Sequence, residues 1–363
     1  MTHRLLSLMA PVLVVGALLS ACNSDSNSNS AGPGEPGGPA TYMMIGTSVT
    51  LSTTTPYQFW TEVVGCPVGV TNCGTTKNAQ VLYSVGSSSL KDDFKNGIYV
   101  TSMADVSSTL FVGLSKEGNA GGQILSCGTQ ANPATCTAVD TFGSSVLSLA
   151  PFGSTLYAGT SGGSMLSCDV SGSNNCVTLN SFGSGVNALA TDGTAYIYAG
   201  TNAGSLMQCP AGKANACITL TSVTGPINSV AYLNGYIYVA TQPGGLYMYQ
   251  LATNSTTTLQ SLDPSSQIQQ LIAVPSNYSG NPAVYGVSYA GWLAMWAPGA
   301  TNATVLTSAA VGCSNYVGFA YDGSSTFYML AGIANNVCTY SQATGTLSVA
   351  ASVGAMPTAI SAF

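Results

Sequence analysis

Val146-Leu-Ser-Leu-Ala150, Thr155-Leu-Tyr-Ala-Gly-Thr160, Gly162-Gly-Ser-Met-Leu-Ser-Cys168 and Asn175-Cys-Val-Thr-Leu179 form a sentence that the chain speaks twice. It returns as Val186-Asn-Ala-Leu-Ala190, Tyr196-Ile-Tyr-Ala-Gly-Thr201, Gly204-Ser-Leu-Met-Gln-Cys209 and Ala216-Cys-Ile-Thr-Leu220. The offset is about forty residues, and each copy holds four short apolar runs separated by Gly, Ser, Asn and Asp. That is the period and content of one four-stranded propeller blade, which cannot bury both its faces alone and must stack on neighbours.

Working outward, the same order of strands recurs along the chain. Toward the N-terminus, Ile98 to Met103, Thr109 to Gly113 and Gln123 to Cys127 supply a blade, and Thr41 to Ser48, Gln58 to Val64 and Val81 to Val85 supply three strands of an earlier one. Toward the C-terminus come Ile227 to Ala231 with Tyr236 to Thr241 and Gly244 to Tyr249, and then Ile268 to Val274 with Ala283 to Val287 and Gly291 to Trp296. The last unit is read as Tyr316 to Ala320, Thr326 to Leu330 and Ile333 to Tyr340. The first of these units lacks a first strand, and the tail Pro357 to Phe363 looks like a first strand without a blade. The expected fold is an all-β, seven-bladed β-propeller of four-stranded antiparallel blades over residues 41–363, closed by the C-terminal strand pairing with the N-terminal blade, which removes open sheet edges.

The 363 residues are 46% apolar and only 5% charged, far below the usual quarter. Gly, Ser, Thr and Asn take the place of charges, so the surface is expected to be neutral and rich in hydroxyls. His3 and Arg4 are the only His and Arg. They form the basic start of an export signal over residues 1–21, continued by the apolar run Leu5 to Leu19. Residues 22–40, rich in Asn and Ser and then in Gly and Pro, have nothing to bury and read as a flexible tether.

Leu19-Ser-Ala-Cys22 resembles the bacterial lipobox, in which the Cys is lipidated, with palmitate among its acyl chains, and becomes the first residue of the mature protein. The alternative is an ordinary signal peptide with a chance Cys. Asn23 in place of Asp is, by the resemblance, what sorting to the outer membrane implies, on its periplasmic or its exposed face.

Cysteine use fits an oxidising compartment. Cys66/Cys73, Cys127/Cys136, Cys168/Cys176 and Cys209/Cys217 fall in close pairs, the last three flanking the turn between third and fourth strands, and cross-hairpin disulfides are the simplest reading. Zinc is the rival, but the spacings are not C-x2-C and no mature His completes a site. Cys313 and Cys338 pair only by elimination.

With no imidazole or guanidinium after the signal, Ser-His-Asp and Cys-His hydrolysis in their usual forms and His-ligated metals are excluded, and five Lys make a nucleic-acid-binding basic patch implausible. No cofactor is expected. Most Asp residues read as structural: Asp192-Gly193 and Asp322-Gly323 as hairpin turns, Asp263-Pro264 as a turn starter, and Asp140 and Asp169 as flanks of third and fourth strands. One cluster stands apart, with Lys91, Asp92, Asp93 and Lys95 in one connection, Lys116 and Glu117 in another on the same expected face, and Asp105 between them in sequence. Its plainer reading is a solvated loop pair with surface salt bridges of little energetic weight; its functional reading is a polar anchor for a partner or glycan.

Aromatic residues offer a second candidate surface. The second-strand tyrosines Tyr157, Tyr196, Tyr198, Tyr236 and Tyr238 are expected to pack between blades. Trp296 stands where Cys127, Cys168 and Cys209 stand in other repeats and is expected to cover the space a disulfide fills there. Tyr289 and Trp292, nearer a loop, are candidates to stack on a ligand.

The Tyr-Val-Ala-Thr and Tyr-Ala-Gly-Thr strands over residues 41–363 resemble those of surface-layer and ligand-sensor propellers with Tyr-Val-Thr-Asn repeats. The Trp-Asp ending, the Asp-boxes of sialidases and the quinoprotein pattern are absent. The resulting expectation is a non-enzymatic outer-membrane lipoprotein, anchored to the membrane by lipid, that acts as a protein-binding or assembly scaffold for an envelope partner, including within a secretion or assembly machine. The alternative is a lectin-like carbohydrate binder or, further off, a glycosidase or lyase using Asp92, Asp93 or Glu117.

Overall fold

The computed structural model describes residues 42–50, 59–67, 80–85, 98–106, 109–116, 121–128, 136–170, 175–259, 267–276, 279–308, 310–353 and 356–362. The chain enters through β1 (Tyr42–Thr50), β2 (Phe59–Pro67) and β3 (Gln80–Val85). Then a four-strand meander repeats. It runs through β4 (Ile98–Val106), β5 (Thr109–Lys116), β6 (Gly122–Gly128) and β7 (Cys136–Phe142), and next through β8 (Val146–Phe152), β9 (Thr155–Thr160), β10 (Ser164–Asp169) and β11 (Cys176–Ser181). The quoted second copy is β12 (Val186–Thr191), β13 (Tyr196–Thr201), β14 (Ser205–Pro210) and β15 (Ile218–Ser222). After it come β16 (Ile227–Leu233), β17 (Tyr236–Thr241), β18 (Leu246–Gln250) and β19 (Ser255–Thr258), then β20 (Ile268–Val274), β21 (Ala283–Ser288), β22 (Leu293–Trp296) and β23 (Thr304–Thr307). The chain ends with β24 (Tyr316–Tyr321), β25 (Thr326–Ala331), β26 (Asn336–Ser341), β27 (Thr346–Ser352) and β28 (Met356–Ala362).

Each of the six meanders from β4 to β27 forms one four-stranded antiparallel sheet, and a further sheet is composite, ordered β28-β1-β2-β3. The C-terminal strand thus supplies the missing first strand, with Met43 opposite Ala362 and Ser48 opposite Met356. The first strands lie side by side around an axis: β4 packs on β8, β8 on β12, β12 on β16, β16 on β20, β20 on β24, β24 on β28, and β28 on β4. This closed ring of sheets is a β-propeller.

Each innermost strand carries a one-residue bulge near its start. The register skips Thr101, Leu147, Asn187, Asn228, Gln269 and Val317, and on β28 it skips Thr358. An unpaired bulge residue turns its side chain out of the ladder, and several use it to reach the next sheet. Thr101 Oγ1 donates to the Val146 carbonyl at 2.6 Å, Asn187 Nδ2 to Ile227 at 3.1 Å and Asn228 Nδ2 to Ile268 at 2.6 Å.

The Tyr-Ala-Gly-Thr motif has a separable reason for each of three residues. Tyr157 and Tyr238 are buried second-strand side chains whose hydroxyls meet the third-to-fourth-strand turn of the following sheet: Gly212 N–H donates to Tyr157 Oη at 2.9 Å, and Tyr238 Oη donates to the Ala297 carbonyl at 3.0 Å. The glycine is where the next innermost strand comes closest, since a Cβ on Gly200 would lie 2.3 Å from Ile227 Cγ2 and one on Gly159 2.6 Å from the Val186 carbonyl oxygen. The threonine closes the turn after the strand. Thr201 Oγ1 accepts from Ser205 N–H at 3.0 Å and donates to the Ser205 carbonyl, and Thr160 does the same with Ser164.

Four disulfides are formed among the described residues. Cys127–Cys136, Cys168–Cys176 and Cys209–Cys217 join third and fourth strands with Cα–Cα separations of 4.1, 4.0 and 4.1 Å, and Cys313–Cys338 spans 25 residues. The expected partner of Cys66, Cys73, lies outside the described residues.

Trp296 is fully buried with Leu233, Tyr238 and Leu271. It pairs with Val284 as Cys168 pairs with Leu156 and Cys209 with Ile197, so an indole occupies the column used elsewhere by a disulfide. Alternation sorts the tyrosines: Tyr157, Tyr198 and Tyr238 are buried, whereas Tyr196 is 37% exposed. One strand differs from its sequence reading. The segment from Ile333 is not strand, because Ala331 pairs directly with Asn336 and the intervening turn puts Asn335 at φ 53°, leaving Ile333 72% exposed.

Candidate binding face

Antiparallel pairing fixes which connections share an end of the propeller. Ile268 lies opposite Ser288, Leu293 opposite Thr307, Tyr316 opposite Ala331 and Ala331 opposite Asn336. The β21–β22, β23–β24 and β25–β26 connections therefore emerge together, at the same end as the turns closed by Thr160 and Thr201.

On this end the β21–β22 turn is tightly fixed. Ser288 N–H donates to the Trp292 carbonyl at 3.0 Å, and Ser288 Oγ accepts from Trp292 N–H at 3.1 Å. Tyr289 is held on both sides, its N–H on the Gln267 carbonyl at 3.0 Å and its carbonyl accepting from Asn315 Nδ2 at 3.4 Å. With the backbone so pinned, the Tyr289 ring stands 46% exposed while Trp292 is half-buried. Asn315 also accepts, through its carbonyl, the N–H of Gly332 at 3.1 Å, so the turns of two adjacent sheets are tied through one residue. Beside it, the Cys313–Cys338 bridge clamps the β23–β24 connection to β26. That connection carries Val311, fully exposed, and the next turn carries Ile333. Tyr289, Val311 and Ile333 are three exposed apolar side chains on fixed turns with no charged residue in the sequence of any of the three connections.

The charged cluster is accounted for differently. Lys91, Asp92, Asp93, Lys95 and Glu117 lie outside the described residues. Lys116 ends β5, half-buried, with its N–H on the Gly121 carbonyl. Asp105 does not belong with a surface cluster at all: it is a residue of β4, 5% exposed, and burial pushes its carboxyl up to about 6 against the opposing pull of the Val106 N–H. Strand alternation puts it on the side of Met103, facing the preceding sheet, which explains the difference.

The other acids serve turns and seams. Asp192 Oδ1 accepts the N–H groups of Thr194, Ala195 and Tyr196 at 2.9, 2.8 and 2.9 Å. Burial alone would raise its pKa, but these donors outweigh it and hold the carboxyl below the usual range. Asp322 repeats the geometry with Ser324, Ser325 and Thr326. Asp140 crosses a seam, its Oδ2 accepting from Cys176 N–H at 3.3 Å. These carboxylates are each engaged with backbone donors rather than paired with one another as a glycosidase requires.

No family model matches the chain and no curated protein does. Among solved structures, a chain of the crystal structure of the mitotic checkpoint complex is similar over 78% of this chain and 86% of its own, with a TM-score of 0.58 and 17% identity. The crystal structure of the computationally designed Ika8 protein is similar over 85% and 89%, with a TM-score of 0.53 and 16% identity. At such identities the likeness is one of fold.

Proposed function

We propose that the chain is a non-enzymatic scaffold of the bacterial outer membrane, lipid-anchored at Cys22, whose propeller presents a rigid neutral face to an envelope protein. The observation that carries the reading is the grouping of exposed Tyr289, Val311 and Ile333 on turns fixed by a disulfide and backbone hydrogen bonds. Apolar and aromatic side chains at the centre of a patch with little charge are what protein interfaces select, and fixed turns lose little entropy on binding. The lipobox-like Leu19 to Cys22 supports the anchor, and the Asn/Ser- and Gly/Pro-rich residues 23–40 support a tether that frees the face from the bilayer. The Tyr-Val-Ala-Thr strands support kinship with the ligand-sensor type of propeller.

The test is cross-linking in the native envelope from photoreactive residues placed at Tyr289 or Ile333. A discrete adduct, lost when Val311→Asp is introduced, is the expected result. Adducts equally abundant from the exposed Ile218, on an outermost strand, would overturn the assignment of the face. Labelling with a clickable fatty acid should be abolished by Cys22→Ser; persistence of the label would overturn the anchor.

A further inference from the structure

We propose that the seam between sheets β8–β11 and β12–β15 is a binding site for one residue of a neutral saccharide. A cavity of about 310 Å³ lies there, walled by Asn180, Ser181 and Phe182 on one side and by Ser205, Met207 and Thr219 on the other. Its size is at the small end for ligand sites, suited to a single sugar ring.

The walls are fixed by groups that do not themselves need a ligand. Thr201 holds the turn that presents Ser205, and the Cys209–Cys217 disulfide joins the two strands that carry Met207 and Thr219. Across the seam, Asn180 Nδ2 donates to Cys217 Sγ, tying one wall to the other. The hydroxyls of Ser181 and Ser205 enter no hydrogen bond among the described residues.

Comparison with equivalent seams shows why the space is open here. Leu125 and Leu166 are buried at the position Met207 occupies, whereas Met207 is half-buried and borders the cavity. At the preceding seam Asp140 reaches the Cys176 N–H, and at the following one Thr256 donates to Thr221 at 3.0 Å. At the middle seam an amide, hydroxyls, a thioether and a phenyl ring meet around a half-open cleft.

The lining decides the chemistry. Among the described residues no Lys, Arg, Asp or Glu borders the cavity, so these walls offer no charge to hold a phosphate, a carboxylate or an ammonium group. A sugar ring matches it: the C–H face covers Phe182 and Met207, and the ring hydroxyls exchange hydrogen bonds with Ser181 and Ser205, whose groups both donate and accept, while Thr219, whose hydroxyl donates to Met207 Sδ at 3.3 Å, accepts. This goes beyond protein binding and uses none of Tyr289, Val311 or Ile333, so either reading can fail without the other.

The experiment is ligand-observed saturation-transfer NMR on the purified full-length protein with a panel of neutral methyl glycosides of hexoses, 6-deoxyhexoses and N-acetylhexosamines, and with their uronic-acid counterparts. At least one neutral glycoside should bind, with an affinity insensitive to salt, and Ser181→Ala combined with Ser205→Ala should weaken it roughly tenfold or more. Tyr289→Ala should leave it unchanged, and the double variant should melt with the parent, since neither hydroxyl supports the fold. Absence of binding across the neutral panel, tighter binding of the uronic acids, or binding untouched by the double variant would each overturn the site.

Discussion

The amide of Asn187 donates to the carbonyl of Ile227, 3.1 Å away and 40 residues on, joining the bulge of one innermost strand to the start of the next. One repeat earlier, the bulge residue is Leu147, which cannot donate; there Ser148 Oγ reaches the Val186 carbonyl instead, at 3.4 Å. The residue after Asn187 is Ala188, so no hydroxyl stands in reserve. Asn187→Leu should therefore cost about 1–2 kcal/mol, the price of a buried carbonyl left without its donor. Adding Ala188→Ser should restore part of the loss, because Ala188 lies opposite Gly200 just as Ser148 lies opposite Gly159. Thermal melts of the two variants decide it, and equal melting temperatures would show that the carbonyl needs no donor.

Asp105 gives the fold a pH dependence of known sign. Burial raises its carboxyl from 3.8 to about 6, so folding opposes its ionisation. Stability is greatest below the unfolded value and declines as pH rises through the window between the two, after which the deficit is constant. The shift corresponds to roughly 3 kcal/mol. Asp105→Asn should raise the melting temperature at neutral pH and have little effect below the ordinary carboxylate pKa. A gain of the same size at every pH would assign it to something other than the charge.

The disulfides should separate by loop length. On the chain-entropy account, a loop of 8 residues, as in Cys209–Cys217, contributes about 2.5 kcal/mol, and one of 25, as in Cys313–Cys338, about 3.5 kcal/mol. Replacing Cys313 and Cys338 by Ser should thus lower stability more than replacing Cys209 and Cys217. It should also release the connection carrying Val311, seen as faster amide exchange at residues 310–315 than at the other turns. Non-reducing peptide maps should recover all four linkages, and free thiols at these positions would refute the oxidising compartment.

Much of this molecule could be read from spacing. Two similar repeats announced the strand order, paired Cys marked the third and fourth strands, and Trp296 stood in a column that Cys fills elsewhere. What could not be read depends on register. A bulge such as that at Asn187 is invisible until one knows which residues face each other. Asp105 counted among the charges that crowd residues 91–117, and only its place in β4 turns it inward. The cavity between the two sheets draws Ser181 from one and Thr219 from the next, residues about one repeat apart that no local pattern links. Tyr289 was legible as a loop aromatic, whereas Val311 and Ile333 were not, since single apolar residues in Gly- and Ala-rich connections carry no signal of exposure.

Closure of the ring rests on β28. It pairs with β1 along its length, packs between β24 and β4, and buries Ile360 at 2% exposure in the same cluster as Val100, Met103 and Leu330. Deleting residues 356–363 removes the innermost strand of the composite sheet, strips β1 of its ladder partner on that side and opens apolar faces of β24 and β4 to water. An unpaired edge beside exposed apolar surface invites association with other chains. The truncated protein should therefore elute as aggregate or be cut by protease within β1–β3 under conditions the full chain resists. Ile360→Asp should act in the same direction more mildly, because a buried charge disrupts the packing while leaving the backbone ladder in place. A truncated chain that stayed monomeric with an unchanged melting temperature would mean that the ring does not depend on its last strand for closure.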